Sequence, residues 1–198
     1  MAQLSIVGIS GSVTRPSRTT ALVRTVLAAI EERTGADIRL LELVDVAPHL
    51  FSALTPDKLG EEGRAIIRLV ESADLLVVGS PVYRASYTGA VKHLFDLIRY
   101  DALSGKPVVL TATGGSLLHG LVTEHQLRPL FGFLNALTLP TAVYATEADF
   151  QDYRIVSPVV VDRIGRVADE AASLIDAGPH LAFGPAARAA RLPAALSA

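Results

Sequence analysis

Short apolar runs bounded by glycine, serine or proline alternate along this chain with longer stretches in which apolar residues recur every three or four positions. The first run, Leu4 to Ile9, meets Gly8 and Gly11. It is too brief for a helix and lacks polar alternation, the pattern of a strand covered on both faces. Leu22, Val26 and Ile30, with Val23 and Leu27 beside them, then make one stripe of a helix that Gly35 is expected to end. Ile38 to Val44 predicts a second strand. Thr55-Pro56 offers a side-chain cap followed by proline at the first helical position, and Leu59, Ile66, Ile67 and Val70 supply the buried face of a second helix. Leu75 to Gly79 predicts the central strand, with Pro81 stopping its ladder for want of an amide donor.

The alternation continues. Val91, Leu94, Phe95 and Ile98 predict a third helix, Val108 to Thr113 a fourth strand, and Leu121, Leu127, Leu130, Phe131 and Leu134 a fourth helix kinked by Pro129. Thr138 to Thr146 predicts a fifth strand. Ser157-Pro158 starts a last helix on Ile164, Val167, Ala171, Leu174 and Ile175, with Gly178 as its stop. Strands alternating with helices imply right-handed crossovers and a parallel sheet covered on both faces. The expectation is an α/β three-layer sandwich with a five-stranded parallel sheet of flavodoxin-like order 2-1-3-4-5. Its ligands would lie beyond the carboxyl ends of the strands, where the strand order reverses.

Composition narrows the chemistry. The 198 residues suit one domain, taken as 1–178, followed by an Ala- and Pro-rich tail over 179–198. The formal net charge of -2 argues against binding a polynucleotide. With no cysteine, thiol, disulfide and iron-sulfur redox chemistry are excluded, so any redox centre must be borrowed. The start MAQLSIVGISGS lacks the basic and apolar regions of a secretory leader, and no apolar stretch approaches a bilayer span, so a cytoplasmic location is expected.

Three loops carry candidate chemistry. The first, Ser10 to Thr20, joins a buried strand to a helix N-terminus and is rich in hydroxyls, with Arg15 and Arg18 among them. Helix amides, short hydroxyl donors and a forked arginine suit a phosphate, although serine and threonine are also common caps. The spacing is neither GxxxxGK[ST] nor GxGxxG, and no acid convincingly ends the second strand, though Glu42 or Asp45 could be argued. A terminal monophosphate, as in FMN, fits better than a nucleoside triphosphate or a dinucleotide. The second loop, Ser80 to Gly89, could wall a flat ring with Pro81, Val82 and the backbone around Arg84, or could simply pack Tyr83 and Tyr87. The third, Thr113-Gly114-Gly115-Ser116, permits close approach of a ring edge to backbone. No histidine and carboxylate spacing suggests a metal site.

GSxxxxSRT at Gly11 to Thr19, SPVYRASYTGAVKHLFD at Ser80 to Asp96 and ATGGS at Ala112 to Ser116 resemble the flavodoxin-like NAD(P)H-dependent FMN reductases. Thr113 to Phe133 is similar to the reductase components of alkanesulfonate and methanesulfonate monooxygenase systems. The resemblance implies that Ser10, Ser12, Arg15, Ser17, Arg18 and Thr19 surround the FMN phosphate. Pro81, Val82, Tyr83 and Arg84 would line the ring, and Thr113, Gly114, Gly115 and Ser116 its other edge. It also implies a π-type bulge in helix four at His125, near a subunit interface, a homodimer or homotetramer, and an FMNH2-dependent monooxygenase as partner. The implied reaction is hydride transfer from NADH or NADPH to FMN, with reduced FMN released and no catalytic side chain required. An FMN-retaining quinone or azo reductase and a non-enzymatic electron carrier are the rival readings.

Overall fold

A computed structural model describes residues 4–177. The expected stop at Gly178 and the tail over 179–198 lie outside the described residues. The main sheet consists of β1 (Ser5–Ser10), β2 (Asp37–Glu42), β3 (Leu75–Pro81), β4 (Pro107–Gly114), β5 (Leu137–Thr138) and β6 (Val143–Thr146), all paired in parallel in the order β2-β1-β3-β4-β5, with β6 also on β4. This is the flavodoxin-like order. The expected fifth strand is present as two pieces: Pro140 interrupts it, and β5 pairs with the foot of β4 while β6 pairs with its top.

Alternation along the strands divides the core. Ile6, Leu75 and Val77 face α1 (Arg18–Thr34) and α6 (Pro158–Asp176), whereas Val7, Ile9, Leu76 and Val78 face α2 (Leu43–Leu50), α3 (Glu61–Ser72), α4 (Gly89–Asp96) and α5 (Arg128–Phe133). Fully buried Phe131 meets Phe95 edge-on at 4.7 Å, and burial of such a ring contributes about 1.5–3 kcal/mol. Gly35 ends α1 in the left-handed region, as the sequence predicts, its amide donating to the Glu31 carbonyl.

Four differences bear on the site. Strand β2 stops at Glu42, and the apolar run that continued the predicted strand turns into α2, whose Leu43 and Leu50 are buried on one face about two turns apart. Pro56 begins only a single 3-10 turn, and α3 starts after extended Gly60 with Glu61 and Glu62 in its first turn, where acids suit the helix dipole. Pro81 does not stop the β3 ladder: the next amide, Val82, donates to the Thr113 carbonyl at 2.7 Å. Helix four is in three parts, a 3-10 turn at Leu117–His119, a π turn at Thr123–Leu127 that contains His125, and α5. The Arg128 amide reaches back five residues to the Thr123 carbonyl, so the π turn is continuous with α5, and Pro129, which has no amide to donate, follows directly on this wide turn.

The gap in the fifth strand is repaired by side chains. One edge of the Arg128 guanidinium binds Glu124 at 2.6 and 2.9 Å; it also donates to the Thr138 hydroxyl at 2.8 Å and to the Leu139 and Pro140 carbonyls at 2.9 and 3.3 Å. Carbonyls that a continuous ladder would have used are thereby satisfied. After β6 a two-residue hairpin follows, β7 (Phe150–Gln151) and β8 (Arg154–Ile155), turned by Asp152 and Tyr153 at φ of 48° and 61°.

Candidate functional site

At the carboxyl end of the sheet the loops after β1, β3 and β4 converge with the segment after β6 on a cleft of about 240 Å³. Its floor is set by Gly11. The Gly11 amide donates to the Gly79 carbonyl at 2.7 Å, its carbonyl accepts from the Thr88 hydroxyl at 2.9 Å, and a Cβ there would fall 2.3 Å from Val91. Only glycine lets the first loop lie this close to β3 and α4. Thr88 also caps α4 and donates its amide to Ser80 Oγ at 3.0 Å, so the first two loops are tied through one residue.

From that floor the chain rises to α1. Ser17 caps the helix, accepting from the Thr20 amide at 3.2 Å, while the amides of Arg18 and Thr19 in the first turn have no helical partner by construction. Ser12 is buried yet lines the cleft, its hydroxyl folded onto the Thr14 carbonyl at 3.0 Å. Thr19 reaches across beneath the cleft to Thr113, their hydroxyls 2.6 Å apart and buried. The first turn of α1 carries no acid; it carries Arg18, whose guanidinium faces the cleft, binds the Glu147 carboxylate and lies 5.8 Å from the centre of the Tyr153 ring. Positive charge at the positive end of a helix dipole is unfavourable unless an anion is close.

On the opposite side Pro81, Val82 and Tyr83 form a wall. Tyr83 and Ser86 exchange backbone hydrogen bonds at 2.9 and 3.1 Å around Arg84 and Ala85, both left-handed with φ of 52° and 65°. The third side is Thr113 with Gly114 and Gly115. A Cβ on Gly114 would fall 2.2 Å from Tyr144 Oη, whereas a Cβ on Gly115 would meet open space, so backbone alone borders the cleft here. Burial pushes the Tyr144 hydroxyl up, which keeps it protonated as the donor to the Ser116 carbonyl at 2.6 Å.

Of the residues expected at the site, Ser12, Ser17, Arg18, Thr19, Pro81, Val82, Tyr83, Thr113, Gly114 and Gly115 line this cleft, and four do not. Ser10 lies beneath it, fully buried, its hydroxyl 2.7 Å from that of Thr20, which in turn donates to Glu42. Arg15 points the other way. Its fork binds both Asp45 oxygens at 2.7 and 2.6 Å and approaches Glu42 at 3.2 Å, and the Arg15 hydrogen bond holds the Asp45 carboxyl below its usual range. Arg84 is exposed at the turn tip, and Ser116 caps the following 3-10 turn by accepting from the Leu118 amide at 3.2 Å. Five further residues line the cleft: Thr14 and Pro16 belong to the expected phosphate loop, whereas Thr146, Glu147 and Tyr153 come from the end of β6 and the segment after it, which the sequence does not mark as part of the site.

A wider groove of about 630 Å³ adjoins behind Pro16 and Ser17. Two of its arginines, Arg15 and Arg24, are turned to Glu42. The smaller cleft is the one with helix amides, hydroxyls and an arginine converging on one end and bare backbone at the other. That donor set fits a flavin mononucleotide, with the phosphate at the α1 end and the ring between Val82 and Gly115. Pockets that enclose a drug-sized ligand span about 300–1,000 Å³, so a flavin in this cleft would keep part of its ring uncovered.

The family model for NADPH-dependent FMN reductases matches residues 4–151. The NADH-dependent FMN reductase SfnE of Pseudomonas putida is 51% identical over 174 residues, covering 88% of this chain and 94% of that protein. An FMN reductase (NADPH) of Pseudomonas aeruginosa is 50% identical over 169 residues, covering 85% and 91%. The crystal structure of an NADH:FMN oxidoreductase, EMOB, in its apo form, superposes with a TM-score of 0.82 at 26% identity over 99% of this chain and 100% of that one.

Proposed function

This chain belongs to the NADPH-dependent FMN reductase family, and from that membership we propose that it transfers hydride from NADH or NADPH to FMN and lets the reduced flavin go. One observation carries the assignment of the site: loops from three neighbouring strands meet at a cleft with the unpaired amides of α1 and the Arg18 guanidinium at one end. FMN, when bound, supplies the hydride acceptor, its N5. Every protein contribution is one of holding and shielding.

Arg18, with the hydroxyls of Ser12, Ser17 and Thr19 and the first-turn amides of α1, would hold the phosphate. Pro81, Val82 and Tyr83 would support one ring face, and the Gly114-Gly115 backbone would meet the pyrimidine edge. A ring left partly uncovered would offer nicotinamide a face to stack upon, and the chain's contribution to hydride transfer would be to hold and orient the two. A shallow site also suits a flavin that must leave, and an FMNH2-dependent monooxygenase is the consumer we assign. Leu117, Leu118 and Leu121 stand 80%, 88% and 62% exposed beside the π turn, an apolar surface that supports self-association into a dimer or tetramer.

The test is to mix purified protein with NADH or NADPH, with and without added FMN, and to follow nucleotide oxidation and protein-bound flavin absorbance together. Saturable dependence on added FMN with little retained flavin is expected. A stably yellow protein that reduces quinones or azo compounds would make FMN a resident cofactor instead, and no nucleotide consumption in any mixture would end the enzymatic reading.

A further inference from the structure

We propose that Glu147 is a built-in rival of the flavin phosphate for Arg18, and that it sets how easily FMN leaves. The inference rests on reading the Arg18 end of the cleft as the phosphate end. Arg18 stands at the first position of α1, where helix amides already concentrate positive charge and the neighbouring sequence provides no acid. The carboxylate that answers it comes from 129 residues away, on the turn that follows β6.

Glu147 does not arrive there by the wandering of a long side chain alone. The turn that carries it is fixed by a reciprocal cap: the Thr146 amide and hydroxyl donate to Asp149 Oδ2 at 2.7 and 2.8 Å, and the Asp149 amide donates back to the Thr146 side chain. Burial works to raise the Asp149 carboxyl, yet the two bonds it accepts from Thr146 and one from the Ser157 hydroxyl hold it below its usual range, so it stays an acceptor at neutral pH. Glu147 itself is 72% exposed and lines the cleft, and Arg18 is 40% exposed.

A phosphate monoester entering the α1 end asks for the same guanidinium, whose Nη2 donates to Glu147 Oε1. Either the Glu147 bond gives way, or two anions crowd one cation. Both outcomes lower the affinity for FMN and leave a flavin without phosphate unaffected. The reduced flavin carries the same phosphate, so the rivalry acts on product as on substrate and favours turnover over retention. Tyr153, with its ring against Arg18, keeps the guanidinium at the mouth whichever anion it serves. Glu147 touches no reacting atom; it is a positioning residue that tunes release.

The experiment is equilibrium titration of FMN and of riboflavin, read by flavin fluorescence, on the wild type, Glu147→Gln, Arg18→Ala and the double variant. An exposed ion pair allows about a two- to fivefold effect. Glu147→Gln is expected to tighten FMN by that factor, to leave riboflavin unchanged, and to do nothing once Arg18 is alanine. If Glu147→Gln leaves FMN affinity unchanged or weakens it while Arg18→Ala still weakens FMN far more than riboflavin, the rivalry is overturned and the assignment of the phosphate end stands. If Arg18→Ala weakens both flavins equally, that assignment falls and the inference with it.

Discussion

Thr19 and Thr113 meet beneath the cleft through hydroxyls 2.6 Å apart, joining the helix that would hold the phosphate to the loop that would meet the ring. Both are buried, so removing one hydroxyl strands the other. Thr113→Val is expected to cost about 1–3 kcal/mol of stability, and Thr19→Val a similar amount, whereas the double valine variant should recover much of the loss because neither partner is then left unpaired. Thermal melts of the three variants decide it. A double variant less stable than either single one would show that the bond is not what couples the two loops.

Arg15 and Arg18 look alike in sequence and differ in direction. Because Arg15 is held by Asp45 and Glu42 outside the cleft, Arg15→Ala is expected to leave FMN affinity within about twofold, the scale of an exposed charge removed at a distance. Arg18→Ala is expected to weaken FMN about tenfold or more, as loss of a charge-assisted phosphate contact does. Flavin titration of the two variants side by side checks this, and equal losses would place both arginines on the phosphate.

Gly114 is glycine because Tyr144 stands over it. Gly114→Ala would force its methyl to within 2.2 Å of Tyr144 Oη, and overpacking of this kind costs about 1–3 kcal/mol. Tyr144→Phe removes the offending oxygen, along with the bond to the Ser116 carbonyl. In the Tyr144→Phe background, therefore, Gly114→Ala should cost clearly less than in the wild type. Urea denaturation of the four proteins gives the coupling, and strict additivity would refute the steric account.

The Arg128 clamp has a pH signature. The Arg128 hydrogen bond holds the Glu124 carboxyl below its ordinary 4.5. A lowered folded-state value means that the pair's contribution is fully present above about pH 4.5 and is lost as pH falls through the folded-state value, the unfolded chain taking the proton first. Unfolding midpoints measured near neutrality and at about pH 4 should therefore fall further in the wild type than in Glu124→Gln. An equal fall in both would detach Glu124 from the acid sensitivity.

The sheet was legible because its strands are short apolar runs with marked ends, and a doubly wound order leaves few other arrangements for them. The site was legible in part, and the failures have a common origin. Leu43 and Val44 extend the apolar run beyond β2 and read as more strand, so α2 was missed, and with α2 went Asp45 as the partner that turns Arg15 away. Glu147 and Tyr153 carried no local signal. An acid after a strand is ordinary, and the Asp152-Tyr153 turn adopts left-handed φ values without the glycine that usually announces them. Their roles arise only from contacts across the fold, which no window along the sequence contains. The π turn at His125 was visible through family resemblance and not through periodicity, since an extra residue in a helix leaves the apolar spacing only slightly disturbed.

The division of the fifth strand gives the chain a freedom that an unbroken one would lack. In a continuous strand, a single inserted or deleted residue reverses which side chains face inward along all that follows. Here β5 and β6 take their registers independently from opposite ends of β4, with the Arg128 clamp spanning the step between them. Descendants of this sequence can thus change length between Leu139 and Ala142 while Val143 and Ala145 still point into the core and Glu147 still stands at the rim.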